Sequence, residues 1–467
     1  MKKNKKVKKL YIVLLLVVVV ASIMLAIAVS SVDNQGLLAI RKEVLYVIAA
    51  FLMIVPIAIL VISLIALLGG KQIVVETAII PDLGVNQPQA ASQTQKEKKE
   101  PVNADGRPIG RFSTLIKLDE NRKSFKRAGY DKHVTLQNLC ENFRNYAARH
   151  LRLYYSIDDI RRFIAGAAVS KIMILQGMSG TGKTSLAHAF GEFLDNPSTV
   201  ISVQPMWKER TDLLGYYNEF TKRFNETQLL EKMYEANYSE DIYVTVMDEM
   251  NIARVEYYFA EFLSLLELPK EDEKYLSVVS DSWESDPVQL VNGKIKLPPN
   301  MWFIGTANND DSTFAISDKV YDRAMVMNLD QKCERFSAPR TAKMHVSAEQ
   351  FVKLVEEAQQ EYEISKRNLN RLAQLDAKMI EKFHVTFGNR IMKQIMTYIP
   401  VYVSCGGDEL EALDDILAKK VMRKLETQNP VYVRNEASDF CNYLDELFGV
   451  DKMKSCKEFI HRLERNS

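Results

Sequence analysis

Gly177-Met178-Ser179-Gly180-Thr181-Gly182-Lys183-Thr184 is the stretch on which the fold turns. It satisfies G-x-x-x-x-G-K-[ST] in full. An apolar strand, Ile172-Met173-Ile174-Leu175, precedes it, and the helix-forming Ser185-Leu186-Ala187-His188-Ala189-Phe190 follows. Glycines in this setting let the backbone curl until its N–H groups point at phosphate oxygens, and the helix N-terminus adds a partial positive charge. The expected phosphate-binding set is Gly177, Met178, Ser179, Gly180, Thr181, Gly182, Lys183, Thr184 and Ser185. In it Lys183 reaches the β- and γ-phosphates of a nucleoside triphosphate and the Thr184 hydroxyl ligates Mg²⁺.

Two further strand ends belong beside such a loop. Ile242-Tyr243-Val244-Thr245-Val246-Met247 is a β-branched run that stops at Asp248-Glu249. A buried strand does not end on two acids without a use for the charge. Asp248 is placed to hold the Mg²⁺ shell, and Glu249 to take a proton from the attacking water. Met301-Trp302-Phe303-Ile304-Gly305-Thr306-Ala307 is a second apolar strand, ending at Asn308, which can orient that water.

Around these landmarks the chain reads as α/β. Short strands at 171–176, 199–203, 242–247 and 301–306 alternate with helices, the pattern of a parallel sheet covered on both faces. Helices are expected at 135–154 and at 156–165, the second opened by a Ser156 cap with Asp158 and Asp159 in its first turn. Beyond Leu329 the patterns are helical, at 347–383, 389–399, 408–426 and 452–464. The expected division is an α/β body over 111–329 and an all-α C-terminal domain over 330–467.

Composition narrows the class. The chain has 467 residues with 61 Lys+Arg against 60 Asp+Glu, a formal net charge of +1. That balance offers no electrostatic evidence for nucleic acid as a partner. With 47% hydrophobic and 26% charged residues, wholesale disorder, collagen and a polytopic transporter are excluded. Five cysteines without a C-x-x-C pair read as reduced thiols rather than a disulfide frame or zinc site.

The apolar excess is concentrated at the start. Residues 10–30 form an almost unbroken apolar run and 44–68 a second without charge, each long enough to span the roughly 30 Å hydrocarbon layer. Pro56 in the second is tolerated in a membrane helix. Lysines 2, 3, 5, 6, 8 and 9 precede the first run, while only Arg41 and Lys42 are basic in the connecting loop. The positive-inside rule then keeps the tail 1–9 in the cytoplasm, and two spans return the body to the same side. The expected location is the cell membrane, with the lipid bilayer as a partner through residues 10–68. A cleaved signal peptide is the competing reading, since Ala26-Ile27-Ala28 resembles a cleavage site. The length of the run and the span that follows argue against it. Residues 71–110, rich in Gln, Pro, Ala, Ser and Lys, read as a flexible linker.

The run Asp248-Glu249-Met250-Asn251-Ile252-Ala253-Arg254, with Ile304-Gly305-Thr306-Ala307-Asn308 downstream and the phosphate loop upstream, resembles the AAA+ ATPases. It looks most like the branch holding MoxR-like ATPases, dynein motor modules and the NTPase subunit of McrBC-type restriction systems. The resemblance covers roughly 156–329 and implies an AAA+ sheet with a helical lid, ATP with Mg²⁺, and a homo-oligomer, a hexameric ring. By the same resemblance Asn308 takes the sensor 1 position. Arg323, after Asp322, takes the place of an arginine finger reaching into a neighbouring subunit, although Ala324 stands where an aromatic is usual. Arg390 in Phe387-Gly388-Asn389-Arg390 looks like sensor 2, with Arg371 and Arg423 as alternatives. The stretch 271–299 looks like a hairpin inserted before sensor 1, with strands at 275–279 and 288–295 around Asn292-Gly293. The aromatic cluster of Trp207 and Leu214-Gly215-Tyr216-Tyr217 serves either packing or the gripping of a substrate.

Three functions share this site: a membrane-anchored ATPase that remodels a protein or complex, the NTPase (ATP or GTP) subunit of a McrBC-like assembly acting with a separate nuclease, and a switch that binds without turnover. The last is disfavoured by the joint presence of Lys183, Asp248, Glu249 and Asn308. Two departures weaken the second. The residues 307–313 do not match the restriction-type GTP-linked stretch M-N-T-A-D-R-S, and the DNA-reading N-terminal domain of those systems is replaced by the membrane hairpin. The expected further partner is an unidentified protein substrate or effector.

Overall fold

The computed structural model describes residues 110–308, 313–330 and 332–466. The tail 1–9, the spans expected at 10–30 and 44–68, and the expected linker up to residue 109 lie outside the described residues. Among the described residues no helix is long and apolar enough to cross a membrane.

The strands in chain order are β1 (Ile172–Gln176), β2 (Thr199–Ser202), β3 (Gly215–Asn218), β4 (Arg223–Glu226), β5 (Tyr243–Asp248), β6 (Tyr275–Ser277), β7 (Lys294–Lys296), β8 (Met301–Ala307) and β9 (Met325–Asn328). Five of them make one sheet in the order β2-β5-β8-β1-β9, and every pairing in it is parallel. The runs of β1, β5 and β8 have no polar face because both faces of the sheet's centre are covered, while the edge strand β2 leaves Val200 and Ser202 exposed. Side chains alternate between two cores. Met173, Leu175, Val244, Val246, Trp302 and Ile304 face one. Ile172, Ile174, Tyr243, Met247, Met301 and Phe303 face the other, where the rings of Phe259 and Phe262 meet Phe303 at 5.3 and 5.4 Å.

Register fixes where the polar strand ends fall. Gln176 of β1 lies level with Ala307 of β8 and Asn328 of β9, and Met247 of β5 lies level with Gly305 of β8. The loops leaving β1, β5 and β8 therefore emerge side by side at one edge, the usual place for a ligand on an open parallel sheet. Gly305 is needed there: a Cβ on it would lie 1.9 Å from Met250 Sδ.

The α/β fold and the all-helical C-terminal region are as expected, with corrections. Beyond the four strands expected for this sheet, β9 is a fifth, four residues long and at the sheet's edge. The expected helix at 135–154 ends at Tyr146, passes through a π-turn at Ala147–Leu151 and closes on Arg152 at φ 57°. The pattern at 347–383 is two helices, Ala348–Glu361 and Lys366–Phe383. Ser365 caps the second through Asn368 N, and the Glu409 carboxylate accepts from Ser365 N and Oγ. The helix expected at 389–399 runs from Gly388 to Ser404 and carries Pro400 inside it. The pattern at 408–426 ends as a helix at Lys420 and finishes in a 3₁₀ turn. A 19-residue helix, Pro430–Phe448, was not anticipated; Asn429 caps it and Pro430 opens it. In the insertion the paired strands are Tyr275–Ser277 and Lys294–Lys296; of residues 288–293 only Val291 bridges, singly, to Lys294, so they are not a strand.

All described residues belong to one compact unit. The helices after 347 share the first core with helix Ile157–Val169. One buried carboxylate joins the two: Asp415 accepts from Tyr398 Oη at 2.5 Å and pairs with Lys419 at 2.6 Å and Arg162 at 3.2 Å. An uncompensated Asp415 would cost several kcal/mol, about 3–5 by analogy with other broken buried pairs.

Candidate nucleotide site

The phosphate loop takes the curled form its glycines permit. Gly180 and Gly182 sit at φ 76° and 94°, and Gly177 at 141°. Gly177 also passes close to β9, since a Cβ on it would lie 2.5 Å from Leu329 O. Helix Lys183–Phe193 starts at Gly182 with no side-chain cap, so its first N–H groups are offered to an anion. Behind the loop Tyr155 Oη donates to Gly182 O at 3.0 Å. Burial raises the Tyr155 hydroxyl above its ordinary pKa and keeps it a donor. Lys183 is buried, and its ammonium lies inside the loop, donating to Gly177 O at 2.9 Å and Met178 O at 2.8 Å. These are the contacts a triphosphate would take over.

The acidic strand end meets the loop directly. Thr184 Oγ1 donates to Asp248 Oδ1 at 2.7 Å. Thr306 Oγ1 donates to the same oxygen at 2.8 Å and accepts from Glu249 N at 2.9 Å. Thr306 thus ties β8 to both acids, and it is a site residue absent from the expected set. The signal was available: a threonine on a fully buried strand, one pleat before Asn308, needs a polar partner. Glu249 itself stands at φ 53°, in the left-handed region, with its side chain exposed. That turn swings the second acid out of the sheet while Asp248 stays tied to Thr184. The donor set fits Mg²⁺, a hard cation that takes a hydroxyl, a carboxylate and phosphate oxygens together.

Asn308 lies at the end of β8, and its carbonyl accepts from Asn251 Nδ2 at 3.0 Å and Thr313 Oγ1 at 3.2 Å. Residues 309–312 are outside the described set. Arg323 and Arg390 are brought together by one carboxylate, with Glu267 pairing to Arg323 at 2.7 Å through one oxygen and to Arg390 at 2.6 Å through the other. Arg323 also donates to Lys319 O at 2.7 Å. Of the alternatives for sensor 2, Arg371 donates to Asn368 Oδ1, while Arg423 lies 3.2 Å from the centroid of the Tyr321 ring. The Tyr321 hydroxyl bonds Gln176, the residue before the loop.

A cavity of about 750 Å³ opens at the root of the loop, lined among others by Ser156, Gln176, Asn328, Lys419 and Arg423. It lies between the ends of β1 and β9 and the C-terminal helices, and is large enough for a small organic ligand.

The aromatic cluster after β2 divides. Leu214 is buried and Trp207 packs edge-on against Tyr258 at 5.6 Å. Tyr216 is half exposed on the β3–β4 hairpin, and Phe220 at its tip is 98% exposed.

Residues 172–324 match the family described as AAA domain (dynein-related subfamily), and residues 338–467 match a domain of unknown function (DUF8727). The first match begins at β1 and ends just after Arg323. Among solved structures, the chain is similar to a proposed ATPase from Cytophaga hutchinsonii, at 14% identity and a TM-score of 0.37, over 76% of this chain and 99% of that one. It is also similar to a full-length MCM homolog from Methanopyrus kandleri, at 9% identity and a TM-score of 0.33, over 62% of this chain and 63% of that one. No curated protein matches in sequence. The match to the AAA domain of the dynein-related kind therefore falls on the α/β body, from β1 to the start of β9.

Proposed function

We propose that this chain is a membrane-tethered, Mg²⁺-dependent ATPase that acts as a ring and remodels a protein or protein complex at the cytoplasmic face. The observation that carries the ATPase reading is the Thr184–Asp248–Thr306–Glu249 network beside a loop whose lysine is already turned inward. Lys183 would hold the β- and γ-phosphates, and Thr184 with Asp248 would hold Mg²⁺. When bound, Mg²⁺ neutralises charge that develops on the phosphate oxygens. Glu249 would take the proton of the attacking water, and Asn308 would orient that water. The cavity beside Gln176 would take the base and ribose.

Tethering is inferred from the two apolar runs at 10–30 and 44–68 and from the lysines before them. Ring assembly is inferred from Arg323, which lies between β8 and β9 along the chain, just before β9, and would reach a neighbour's nucleotide. Phe220 and Tyr216 on the β3–β4 hairpin are the exposed aromatics suited to grip a polypeptide.

The test is ATP turnover by the full-length protein, with Lys183→Ala as its control. We expect Mg²⁺-dependent phosphate release that disappears in the variant, together with binding of a non-hydrolysable ATP analogue. Native-like analogue affinity in Lys183→Ala would remove the phosphate-loop reading. A reporter fused after Ser467 is expected to score as cytoplasmic, and an extracytoplasmic signal would overturn the topology.

A further inference from the structure

The segment that carries Arg323 is held by the C-terminal helices more than by the sheet it enters. The short helix Asp318–Tyr321 runs out into Asp322, Arg323 and Ala324 just before β9. Four successive carbonyls there need partners, because a helix end leaves its last carbonyls unmatched. Tyr321 O accepts from Lys420 Nζ at 2.8 Å and Ala324 O accepts from the same ammonium at 2.6 Å. Asp322 O accepts from Gln394 Nε2 at 3.2 Å. Arg323 O alone is served from the α/β body, by Ser170 Oγ at 2.8 Å. Three of the four are therefore capped from helices 388–404 and 409–420.

Lys420 is an unusual choice for that position. It is 5% exposed, and its hydrogen bonds go to two neutral carbonyls. Burying a cation against uncharged acceptors is costly, and a methionine would fill the same space without that cost. Burial, together with Arg390 and Arg423 nearby, outweighs the attraction of Asp322 and brings the Lys420 ammonium down to about 7. The lysine does what methionine could not: it spans the turn and fixes the backbone on both sides of Arg323. The same helical domain touches this segment once more, through Arg423 over the Tyr321 ring, and reaches it indirectly through Arg390, which shares Glu267 with Arg323.

We propose that Lys420 is a positioning residue for Arg323, fixing the finger segment to the helical domain so that the placement of that domain sets the guanidinium offered to the neighbouring subunit's nucleotide. This rests on the trans-finger reading above. It makes the helical domain of one subunit a regulator of hydrolysis in the next. Lys420 touches no reacting atom; it acts through Arg323.

The test uses full-length protein and MgATP. Lys420→Met is expected to lower kcat by about 10- to 100-fold, the size of losing the two hydrogen bonds that hold the backbone on either side of Arg323. The ATP concentration at half-saturation is expected to stay within about two-fold. The discriminating measurement mixes Lys420→Met with Glu249→Gln in equal amounts. In mixed rings the Glu249→Gln subunits supply well-held fingers to Lys420→Met subunits, whose own Glu249 is intact. Turnover should therefore exceed that of either variant alone, as it should for Arg323→Ala mixed with Glu249→Gln. If the Arg323→Ala mixture recovers and the Lys420→Met mixture does not, the defect lies in the subunit's own site and the proposal is overturned. If neither mixture recovers, the trans-finger reading itself fails, and this proposal with it. Should Lys420→Met fail to fold by thermal melting, Lys420→Gln, which keeps a donor of shorter reach, goes through the same mixtures with the same decision.

Discussion

Thr306 offers the sharpest test of the site, because one hydroxyl serves both acids. Replacing it with valine keeps the shape of a residue that is 3% exposed and removes only the bonds. Its Oγ1 donates to Asp248 Oδ1 at 2.8 Å and accepts from Glu249 N at 2.9 Å. A hydrogen bond to a charged group contributes about 1.5–3 kcal/mol and one between neutral groups about 0.5–1.5. The expected loss of stability is therefore about 2–4 kcal/mol, with the left-handed turn at Glu249 loosened as well. Asp248 keeps Thr184 as a partner at 2.7 Å and stays in the neighbourhood of the loop, but with one tether in place of two. If half or more of the bond to Asp248 is used in the transition state, turnover falls by about 4- to 150-fold. The assay is ATP turnover against Mg²⁺ concentration alongside thermal melting, with Thr306→Ser as the control that keeps the hydroxyl. We expect kcat down, the Mg²⁺ requirement up, and Thr306→Ser close to the parent. A Thr306→Val protein that melts lower yet keeps the parental kcat and Mg²⁺ profile would refute the argument, because the hydroxyl would then matter to folding alone.

Three other outcomes follow from named contacts. Glu249→Gln is expected to bind ATP and stall, with turnover reduced by about 10²–10⁴-fold, the usual cost of removing a general base; wild-type turnover in single-cycle measurements would take the base role away from Glu249. Gly305→Ala drives a methyl into Met250 Sδ, so the midpoint of urea unfolding should drop by the equivalent of about 1–3 kcal/mol, and pairing it with Met250→Ala should restore part of the loss. Between pH 7 and 8.5 stability should rise with pH. Burial brings both Lys171, facing Glu271 and Lys274, and Lys420, facing Asp322, Arg390 and Arg423, down to about 7, so in this window the unfolded chain holds protons that the folded chain has released. The slope is at most about 1.4 kcal/mol per pH unit for each lysine, and Lys420→Met should flatten it; a stability that falls over this range in the parent would reverse the sign.

The sheet was legible because its strands are buried on both faces and punctuated by residues that are expensive to bury. A run such as Tyr243–Met247 followed by Asp248-Glu249 announces both the strand and the edge at which the chemistry lies. The phosphate loop was legible because only glycine tolerates its backbone. What escaped depended on distant partners. Thr306 reads as an ordinary β-branched strand residue until Asp248 is seen beside it. Helix Pro430–Phe448 is announced by Asn429-Pro430 and by the apolar face of Val433, Ala437, Phe440, Cys441, Leu444 and Phe448, signals that the expected elements leave unused. The break at Ser365 is made by Glu409, which lies more than forty positions away in the chain. Glu267 gives no local hint that it joins two arginines from separate parts of the fold.

That last contact bears on how the finger would be released. Arg323, Arg390 and Glu267 are all partly exposed, at 24%, 49% and 31%. Ion pairs of this exposure contribute about 0–1 kcal/mol each, because water and salt screen them and long side chains lose freedom in forming them. A guanidinium set against a transferring phosphoryl group in trans is worth about 10³–10⁵ in rate where it has been measured, several times the energy of a surface pair. In the proposed ring the exchange of Glu267 for a neighbour's phosphates is therefore favourable, and Glu267 is a rest rather than a lock. The cluster also carries one negative charge against two positive ones. The surplus is kept on the face that would meet a polyphosphate, and moving Arg323 need not strand Glu267, because Arg390 remains on its other oxygen. The backbone of the finger stays fixed meanwhile, since Lys420, Gln394 and Ser170 hold its carbonyls and not its guanidinium. A mobile charged tip on a clamped backbone is the arrangement that lets a side chain change partners while the helical domain still governs where it can reach.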